Sequence, residues 1–548
     1  MPYGRSWAKV PMSDGIVLVG LPGSGKSAVG RCVAERLGRP FIDLDDEIEG
    51  GTGSSPAEHI RSTGEARFRA LEQEAVQAAC SVAGAVIATG GGAPLDPLNR
   101  WAFMEHGLRV RLDVPPERLA ERLAADPVSR PLLGDDPLAG LRRTAQTRAP
   151  VYGAVDAVVD GDTSPEAAAE AVIRAHAELA DVQADWRTLY DTPYARHHPA
   201  GPSRGRMLMG RGITARALGE ALASFDGRLP AVIADRRATE ALPVLDAALP
   251  RDRRLTLAGG EEIKSFEELE RALTWLGAQG VERGDPLLAA GGGTIGDLAG
   301  LAAALHHRGM PLVQLPTTWL AQADSAVGGK VAIDLPGAKN AVGAVWPAWL
   351  IVSDVGLLGS LPVDRRRDGM AECLKSGLIG DPLLWQLVEE RAVLALTGDD
   401  PAAVYAMTER AARLKLEIVE RDPYESGERR VLNLGHTLGH ALEVESDYRL
   451  AHGEAVGLGL RAVAIIAANR GAEPGLAERI DTVLHTLGFA PRRQFDRAAV
   501  RQALLGDKKR DRGVARWILP MAVGRVEDVS GVTAEELEAA LDTIWAPA

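Results

Sequence analysis

The chain has 548 residues and a formal net charge of −13 at pH 7. This surplus of negative charge argues against a broad basic surface, so we expect no nucleic-acid partner. Hydrophobic residues make up 46% and charged residues 25% of the sequence, which is typical of globular domains, and the length allows several of them.

The cysteines argue against a disulfide-bonded or thiolate-metal protein, and the hydropathy pattern argues against a secreted or membrane protein. Cys32, Cys80 and Cys373 form no C-x-x-C pair, so neither a disulfide framework nor a thiolate metal site is expected. The N-terminus lacks the apolar core of a signal peptide, and no uncharged apolar run reaches the roughly 18 residues that span a membrane. We therefore expect a cytoplasmic protein without a membrane partner.

Residues 14–180 are predicted to alternate strands and helices. Short buried strands are expected at Ile16–Val19, Ala85–Ala88 and Val110–Val114, and an amphipathic helix at Ser27–Leu37. This rhythm indicates a parallel sheet covered by helices. The expected class of this first domain is therefore α/β.

Gly20–Ser27 has the sequence G-x-x-x-x-G-K-S, that of a phosphate-binding P-loop. It stands between a predicted strand and a predicted helix, the context that the motif requires. Backbone N–H groups would wrap the phosphates, Lys26 would reach the terminal phosphates and Ser27 would bind Mg²⁺. A plain glycine turn explains this combination less well.

Further polar groups follow the P-loop. Asp43 and Asp45 are two residues apart at the end of a predicted strand, so their carboxylates point the same way, although a solvated acidic loop is an equal alternative. Thr89–Gly92 follows a strand, and its glycines permit close approach of a ligand. Several arginines would suit a carboxylate-bearing acceptor, although each alone fits a surface charge: Arg67, Arg69, Arg130 and Arg148.

In this order the motifs resemble shikimate kinase, over essentially the whole of that small enzyme: the P-loop, D-x-D, G-E-x-x-F-R, G-G-G, R-P-L-L and R-x-P-x-Y. The resemblance implies transfer of the ATP γ-phosphoryl group to shikimate, with Lys26 and Arg130 as catalytic groups and Arg130 on a mobile lid. The implied ATP contacts are Gly23, Ser24, Gly25, Lys26, Ser27, Ala28 and Arg130. The implied shikimate contacts are Asp45, Arg69, Gly91 and Arg148, and the implied Mg²⁺ ligands are Ser27 and Asp43.

The periodic pattern fails over residues 181–206. This stretch contains Asp191-Thr192-Pro193, His197-His198-Pro199 and Gly201-Pro202-Ser203. Proline, glycine and polar residues without periodicity favour a linker between domains.

A second alternating region is predicted at residues 207–355, and longer helical patterns dominate residues 356–548. The clearest helical patterns are Ala402–Glu420 and Glu454–Arg470. We expect a Rossmann-like α/β domain followed by a mostly α-helical, metal-binding domain.

Glycine-rich turns in the second α/β region indicate a bound nucleotide. Gly291–Asp297 lies between an apolar strand and a predicted helix, which fits pyrophosphate binding, although tight packing is an alternative. Lys264 follows one glycine turn, and Lys330 ends the run Gly328-Gly329-Lys330. Lysines beside glycine loops in an acidic protein indicate an anionic substrate, with scattered surface charge as the alternative.

Three of the chain's eleven histidines lie close together, which indicates a divalent metal. His436 and His440 are four residues apart and share one face of a helix, and His452 follows. Spacing alone nominates His436 and His440 as ligands.

From about Met207 onward the chain resembles 3-dehydroquinate synthase over nearly its full length. The matching motifs are G-G-E-x-x-K-S, G-G-G-x-I-G-D-L-A-G, P-T-T-x-L-A-Q-x-D-S-x-V-G-G-K, K-N-x-x-G and L-N-x-G-H-T-x-G-H-A-x-E. The resemblance implies NAD and Zn²⁺ or Co²⁺ as cofactors, with Glu372, His436 and His452 as metal ligands. His440 would then face the substrate.

The same resemblance implies two sets of contacts. NAD would contact Asp235, Glu261, Lys264, Gly292, Gly293, Asp297, Thr317, Thr318, Lys330 and Lys339. The substrate would contact Asp324, Lys330, Asn340, Lys375, Lys415, Arg429, Asn433, His440, Lys508 and Lys509. The expected catalytic groups are Lys330, Lys375, Lys415, Arg429 and His440. Asp334 departs from the asparagine usual in the family.

The two resemblances together imply a bifunctional enzyme of aromatic biosynthesis, a homodimer through its synthase half. The synthase would convert 3-deoxy-D-arabino-heptulosonate 7-phosphate to 3-dehydroquinate and phosphate. Two alternatives remain: the synthase half cyclises another sugar phosphate in specialised metabolism, or one half is a non-catalytic regulatory module. Intact P-loop and histidine motifs argue against the second alternative.

Overall fold

The computed structural model describes residues 14–124, 136–180, 187–197, 203–335, 338–508 and 516–547. The chain divides into two compact units. The first unit runs to Pro193 and also takes in Leu208–Ile213, and the second holds Tyr194–Met207 and continues from Thr214. Across the described ranges, no helix combines the length and apolarity needed to cross a membrane.

The first unit is built on a parallel sheet flanked by helices. Its strands are β1 (Gly15–Val19), β2 (Phe41–Asp43), β3 (Val86–Ala88), β4 (Gly107–Asp113) and β5 (Ala157–Asp160). Its helices are α1 (Lys26–Leu37), α2 (Leu44–Thr52), α3 (Pro56–Thr63), α4 (Glu65–Cys80), α5 (Pro97–His106), α6 (Pro116–Ala124), α7 (Pro137–Tyr152) and α8 (Pro165–Ala180). The strand order is β2-β3-β1-β4-β5, and all neighbours pair in parallel.

Burial explains why β1 is the central strand. All five of its residues, Gly15–Val19, are buried, as expected for a strand covered by helices on both faces. One face packs on α1 and α8 through Leu18, Val33 and Val172. The predicted strand, turn and helix of this region are confirmed, and they place the P-loop at the carboxyl edge of the sheet.

Much of the described part of residues 181–206, where the sequence predicted a linker without periodic structure, forms two strands. Strand β6 spans Arg187–Arg196 and strand β7 spans Ser203–Arg211. Apolar side chains of β6 such as Leu189 and Tyr194 are buried. The sequence analysis did not predict β6 because it contains Pro193 and several charged residues, and proline within a run usually argues against a strand.

The second unit contains a larger sheet and a separate hairpin. Its further strands are β8 (Ala231–Asp235), β9 (Arg254–Leu257), β10 (Leu287–Gly291), β11 (Leu312–Pro316), β12 (Lys330–Leu335), β13 (Ala338–Val345) and β14 (Leu350–Asp354). The sheet order is β6-β7-β14-β11-β10-β8-β9, with parallel pairing from β14 to β9, and β12 and β13 form an antiparallel pair. The helices of this part are α9 (Thr214–Ala223), α10 (Arg236–Ala241), α11 (Pro243–Ala248), α12 (Phe266–Ala278) and α13 (Gly293–Leu305).

The remainder of the second unit is mostly helical, as predicted. Its helices are α14 (Val363–Gly380), α15 (Pro382–Thr397), α16 (Pro401–Arg421), α17 (His436–Glu445), α18 (His452–Asn469), α19 (Leu476–Thr486), α20 (Arg497–Lys508) and α21 (Ala534–Ile544). An antiparallel hairpin joins them, with strands β15 (Arg516–Ala522) and β16 (Arg525–Ser530). The predicted helical patterns correspond to α16 and α18, and the α/β-then-helical order is confirmed.

Candidate active sites

The P-loop of the first unit is an anion cradle at the start of α1. Gly23 and Gly25 have φ angles of 82° and 86°, a left-handed conformation that glycine adopts without steric cost. Lys26 Nζ donates hydrogen bonds to the carbonyl oxygens of Gly20 (3.0 Å) and Leu21 (3.1 Å), so its ammonium lies inside the loop. The expected ATP contacts in this loop and the first turn of α1 are Gly23, Ser24, Gly25, Lys26, Ser27 and Ala28; Arg130 lies outside the described residues.

Two aspartates stand at the neighbouring strand end. Asp43 ends β2, and its Oδ1 accepts a hydrogen bond from the backbone N–H of Asp45 (3.1 Å), which caps α2. Asp45 Oδ1 lies 2.7 Å from the position that a Cβ would occupy at Gly90. Asp45 therefore faces the glycine turn after β3, while Asp43 stays at the strand edge.

Two arginines converge on the same glycine turn. Arg69 Nη1 lies 2.2 Å from the position of a Cβ at Gly92, so any side chain there would clash with the guanidinium. Arg148 Nη1 donates a hydrogen bond to the carbonyl oxygen of Gly91. One turn thus brings together the four residues that the sequence predicted to share a ligand: Asp45, Arg69, Gly91 and Arg148.

Glu72 is a part of this site that the sequence analysis missed. It is 2% exposed, and its Oε2 accepts a hydrogen bond from Arg69 Nη1 (2.7 Å). Burial raises the pKa of the Glu72 carboxyl, and the neighbouring Arg69 opposes that rise. The i, i+3 spacing on α4 was the available signal, since residues at that spacing share a helix face.

The glycine turns of the second unit lie at the carboxyl edge of its sheet. Gly292 precedes the first residue of α13, and the backbone N–H of Thr317 donates to the carbonyl of Gly291 (2.9 Å) at the ends of β10 and β11. A Cβ at Gly292 would lie 3.1 Å from Thr318 Cγ2. At the end of β8, Asp235 caps α10 by accepting from the N–H of Arg237 (2.7 Å). A helix N-terminus bordered by close-packed glycine is suited to bind a pyrophosphate.

Lys264 is the centre of an ionic cluster beside these turns. Its Nζ lies 3.0 Å from Asp297 Oδ2 and 3.8 Å from Asp334 Oδ1, and it donates to Asn340 Oδ1. Burial raises the pKa of Asp297 to about 6. Asp334, the departure from the family pattern, accepts from the backbone N–H of Asn340 (2.6 Å) and so supports the β12–β13 hairpin.

The second unit contains a group of side chains that could bind a metal ion. They are Glu372 of α14, His436 of α17 and His452 of α18. One ligand atom from each lies within 4.8 Å of the others. Glu372 Oε1 is 3.3 Å from His452 Nε2 and 3.5 Å from His436 Nε2. His440 lies beside this group, with its ring centroid 5.3 Å from that of His436. Spacing alone nominated His436 and His440 as ligands, but the ligand atoms that lie together are those of Glu372, His436 and His452.

In His436 and in His452, the Nδ1 atom has a hydrogen-bond acceptor that orients the imidazole ring. His436 Nδ1 lies 3.0 Å from the carbonyl of Leu434, and His452 Nδ1 lies 3.2 Å from Glu443 Oε1. Burial, aided by Lys375, lowers the pKa of His436 to about 3. Burial also disfavours the charged form of His452, but hydrogen bonds to Glu372 and Glu443 raise its pKa to about 10.

Buried cations adjoin the acidic end of this group. Lys375 is 2% exposed and forms ion pairs with Glu372 and with Asp324 Oδ1, the second at 3.6 Å. Lys415 Nζ lies 3.1 Å from Asp324 Oδ2. Burial lowers the pKa of Lys415, and Lys375 and Arg429 add to the effect. An anionic ligand entering this cluster would relieve the mutual repulsion of the cations.

A second group of expected contacts surrounds Glu425. Lys330 pairs with Glu425 Oε2, and Asn433 Nδ2 donates to Glu425 Oε1 (2.7 Å). Arg429 Nη1 donates to the carbonyl of Pro423 (2.7 Å). Lys508 ends α20, but its side chain is not described, and Lys509 lies outside the described residues.

Glu425 and Glu443 are two acidic residues of the second unit to which the sequence analysis gave no role. Glu425 joins Lys330 to Asn433, and Glu443 joins His452 to Lys339, whose Nζ lies 3.2 Å from Glu443 Oε1 and 3.2 Å from Glu261 Oε1. The H-T-x-G-H-A-x-E motif contained a signal for Glu443, because a carboxylate often holds the second nitrogen of a metal-binding imidazole.

Family models cover most of both units. The model for shikimate kinase matches residues 22–177. The models for the 3-dehydroquinate synthase N-terminal and C-terminal domains match residues 254–368 and 369–510.

Similar proteins come from several bacteria. A 3-dehydroquinate synthase of Xanthomonas campestris pv. campestris is 43% identical over 295 residues, covering 51% of this chain and 77% of that protein. The 3-dehydroquinate synthase of Mesorhizobium japonicum is 37% identical over 346 residues, covering 60% of this chain and 91% of that protein. Among solved structures, a 2-epi-5-epi-valiolone synthase of Streptomyces hygroscopicus with NAD⁺ and Zn²⁺ bound is 28% identical, with a TM-score of 0.59, over 64% of this chain and 98% of that one.

These matches agree with the two compact units in the order of the domains. The chain belongs to the 3-dehydroquinate synthase family and carries a shikimate kinase domain ahead of the synthase, which makes it a bifunctional enzyme of the shikimate pathway.

Proposed function

We propose that the first unit phosphorylates shikimate with ATP to give shikimate 3-phosphate. We propose that the second converts 3-deoxy-D-arabino-heptulosonate 7-phosphate to 3-dehydroquinate and phosphate. The observation that carries the second assignment is the ion pair of Glu372, one of the three candidate metal ligands, with buried Lys375, which Asp324 links to Lys415. A metal group next to cations suits a substrate that bears hydroxyl, phosphate and carboxylate groups.

In the kinase unit, the chain's residues position two anions and neutralise charge. A loose phosphoryl-transfer transition state leaves most of the catalysis to these effects. Lys26 would exchange its backbone carbonyl partners for the terminal phosphates of ATP, and Ser27 and Asp43 would hold the Mg²⁺ that accompanies the nucleotide. We assign shikimate to Asp45, Arg69, Gly91 and Arg148, and assign charge neutralisation at the nucleotide to Arg130.

The donor set of the synthase unit fits Zn²⁺ or Co²⁺. The Nδ1 atoms of His436 and His452 have acceptors, which leaves both Nε2 atoms, close to Glu372, as ligands. Three protein ligands with an open position are the arrangement of catalytic zinc sites. When bound, the metal supplies Lewis-acid polarisation of the substrate oxygen that is oxidised.

NAD fits the glycine turns at the sheet edge. The N-terminus of α13 would receive the pyrophosphate, because its backbone N–H groups and dipole favour an anion. The residues that we propose for NAD are Asp235, Glu261, Lys264, Gly292, Gly293, Asp297, Thr317, Thr318, Lys330 and Lys339. NAD held by these residues would supply reversible hydride transfer and would not be consumed.

The buried cations would orient the substrate between these two cofactor sites. Lys375, Lys415 and Arg429 would bind its phosphate and carboxylate, since charge-assisted hydrogen bonds are strongest where water is excluded. His440 would face the substrate beside the metal ligands. The remaining proposed contacts are Asp324, Lys330, Asn340, Asn433, Lys508 and Lys509.

One observation favours a second candidate for the synthase unit. The solved neighbour at 28% identity is a 2-epi-5-epi-valiolone synthase, which favours the alternative that this unit cyclises another sugar phosphate. The curated relatives at 37% and 43% identity are 3-dehydroquinate synthases. Their identity and the cluster of cations, including Arg429, favour the carboxylated substrate.

Product analysis separates the two candidates. The full-length chain with NAD and Zn²⁺ is incubated with 3-deoxy-D-arabino-heptulosonate 7-phosphate or with a carboxylate-free sugar phosphate of the same carbon number. We expect release of phosphate and 3-dehydroquinate from the first substrate alone. Turnover of the second substrate alone would assign the unit to specialised metabolism.

We further propose that the enzyme works in the cytoplasm as a homodimer through its synthase half. The family resemblance supports the dimer, and the acidic biosynthetic chain with few cysteines is consistent with a reducing compartment. Light scattering of the full-length chain tests the oligomeric state. A monomer mass at working concentration would refute the dimer.

A further inference from the structure

The hydroxyl of Tyr152 lies where three segments of the kinase unit meet. Tyr152 ends α7 and is 4% exposed. Its oxygen is 2.6 Å from the carbonyl oxygen of Gly91 and 3.2 Å from that of Gly20. Gly20 opens the P-loop and Gly91 lies in the turn assigned to shikimate. A phenolic hydroxyl has one proton, so it donates to the closer carbonyl, that of Gly91, and stays within reach of the other.

Arg148, one helical turn before Tyr152, completes this junction. Its Nη1 donates to the carbonyl of Gly91 and lies 3.3 Å from the Tyr152 oxygen. The turn lies close to both neighbours, because a Cβ at Gly91 would be 3.1 Å from Arg148 Nη1 and 3.4 Å from Pro22 Cδ of the P-loop. The acceptor turn is therefore held between the P-loop and the end of α7.

We infer that Tyr152 is a positioning residue that fixes the acceptor turn against the P-loop and so sets the distance between the two substrates. The inference rests on the proposed shikimate kinase reaction. Phosphoryl transfer needs the attacking hydroxyl in line with the γ-phosphoryl group, and small misplacements of reacting groups cost large factors in rate. Tyr152 acts through Gly91 and Arg148.

The variant Tyr152→Phe removes the hydroxyl and keeps the ring in the core. We expect kcat/KM for shikimate to fall about threefold to tenfold, the range set by one hydrogen bond between neutral groups. The KM for shikimate should rise while the KM for ATP changes little, because Lys26 and the P-loop backbone still hold the nucleotide. A purely structural role would lower the amount of folded enzyme and leave the KM for shikimate unchanged.

Tyr194→Phe is the matched control, since it also removes one buried hydroxyl. The Tyr194 hydroxyl donates to the carbonyl of Ala348, and both residues belong to the second compact unit. Thermal unfolding of each full-length variant, and calorimetric titration with shikimate, accompany the kinetics. We expect weaker shikimate binding in Tyr152→Phe alone.

The outcomes separate the inference from the function on which it rests. Wild-type protein that fails to phosphorylate shikimate would refute the kinase assignment. With an active wild type, an unchanged shikimate KM and affinity in folded Tyr152→Phe would overturn the positioning role. An equal loss in Tyr194→Phe would overturn it too.

Discussion

Three imidazoles of the synthase unit lie close together, but we assign them different roles. His436 and His452 approach Glu372 through Nε2, whereas His440 lies one helical turn after His436 on α17. Substitution of a ligand removes one bond to the metal, while substitution of a substrate contact leaves the metal in place. The three histidines therefore predict different metal contents in their variants.

We expect His452→Ala to lose most of its bound metal, and His440→Ala to keep metal near the wild-type level with a lower kcat. Elemental analysis of the purified full-length variants, together with synthase kinetics, makes the distinction. Retained metal in His452→Ala with metal loss in His440→Ala would reverse the assignment.

Arg429→Lys tests how the substrate anion is held. The guanidinium already bridges two backbone segments, the carbonyls of Pro423 (2.7 Å) and Gly328 (3.1 Å), and its planar fork cannot be reproduced by an ammonium. We expect synthase kcat/KM to fall about tenfold or more, roughly 1.4 kcal/mol. The affinity for NAD, measured by calorimetric titration, should barely change. Weak NAD binding with normal substrate kinetics would move Arg429 out of the substrate site.

Local motifs in the sequence nominated most residues of the candidate sites. They predicted only some of the ion pairs and hydrogen bonds that these residues form. The P-loop and the histidine motif are contiguous, so the sequence displays them directly. Glu425 meets Lys330 across 95 positions of sequence, and no local pattern encodes that ion pair. Its role as the partner of Lys330 and Asn433 appears only once the segment after α16 has folded against the β12–β13 hairpin.

At the scale of elements, the contact between α17 and α18 positions the metal group. Gly435 precedes His436 with a φ of 75°, and a Cβ at Gly459 of α18 would lie 2.0 Å from the Gly435 carbonyl. Only glycine at position 459 permits this approach. The start of α17, and with it His436, is therefore held by the backbone of α18.

Gly459→Ala should push the two helices apart. We expect a destabilisation of about 1–3 kcal/mol from overpacking, and a weaker metal affinity because His436 moves. Gly219→Ala in α9 is the control, since a Cβ there meets nothing within 4 Å; the change should be neutral or stabilising by about 0.5–1 kcal/mol. Denaturant unfolding and competitive chelator titration measure both quantities. Equal metal affinity in the two variants would refute the link.

Elements with strong periodicity were predictable, and those built by tertiary contact were not. Helices α16 and α18 follow from their apolar pattern. Strand β6 did not, because it contains a proline and alternates irregularly, and its place in a sheet depends on distant contacts such as that of Tyr194 with Ala348.

At the scale of the whole molecule, two chemistries share one chain. The P-loop site lies in the first compact unit, and the metal group and glycine turns lie in the second. The residues that we assign to the two reactions thus belong to different compact units. We expect a defect in either site to leave the other reaction unchanged.

The most direct test is a parallel assay of both reactions on the full-length wild type, Lys26→Ala and Glu372→Gln. The wild type should phosphorylate shikimate and form 3-dehydroquinate. Lys26→Ala should lose the first activity and keep the second, because the P-loop loses its phosphate-binding ammonium. Glu372→Gln should lose metal and the second activity while keeping the first. Loss of both activities together in a folded variant, or absence of either from the wild type, would contradict the assignment of two independent active sites.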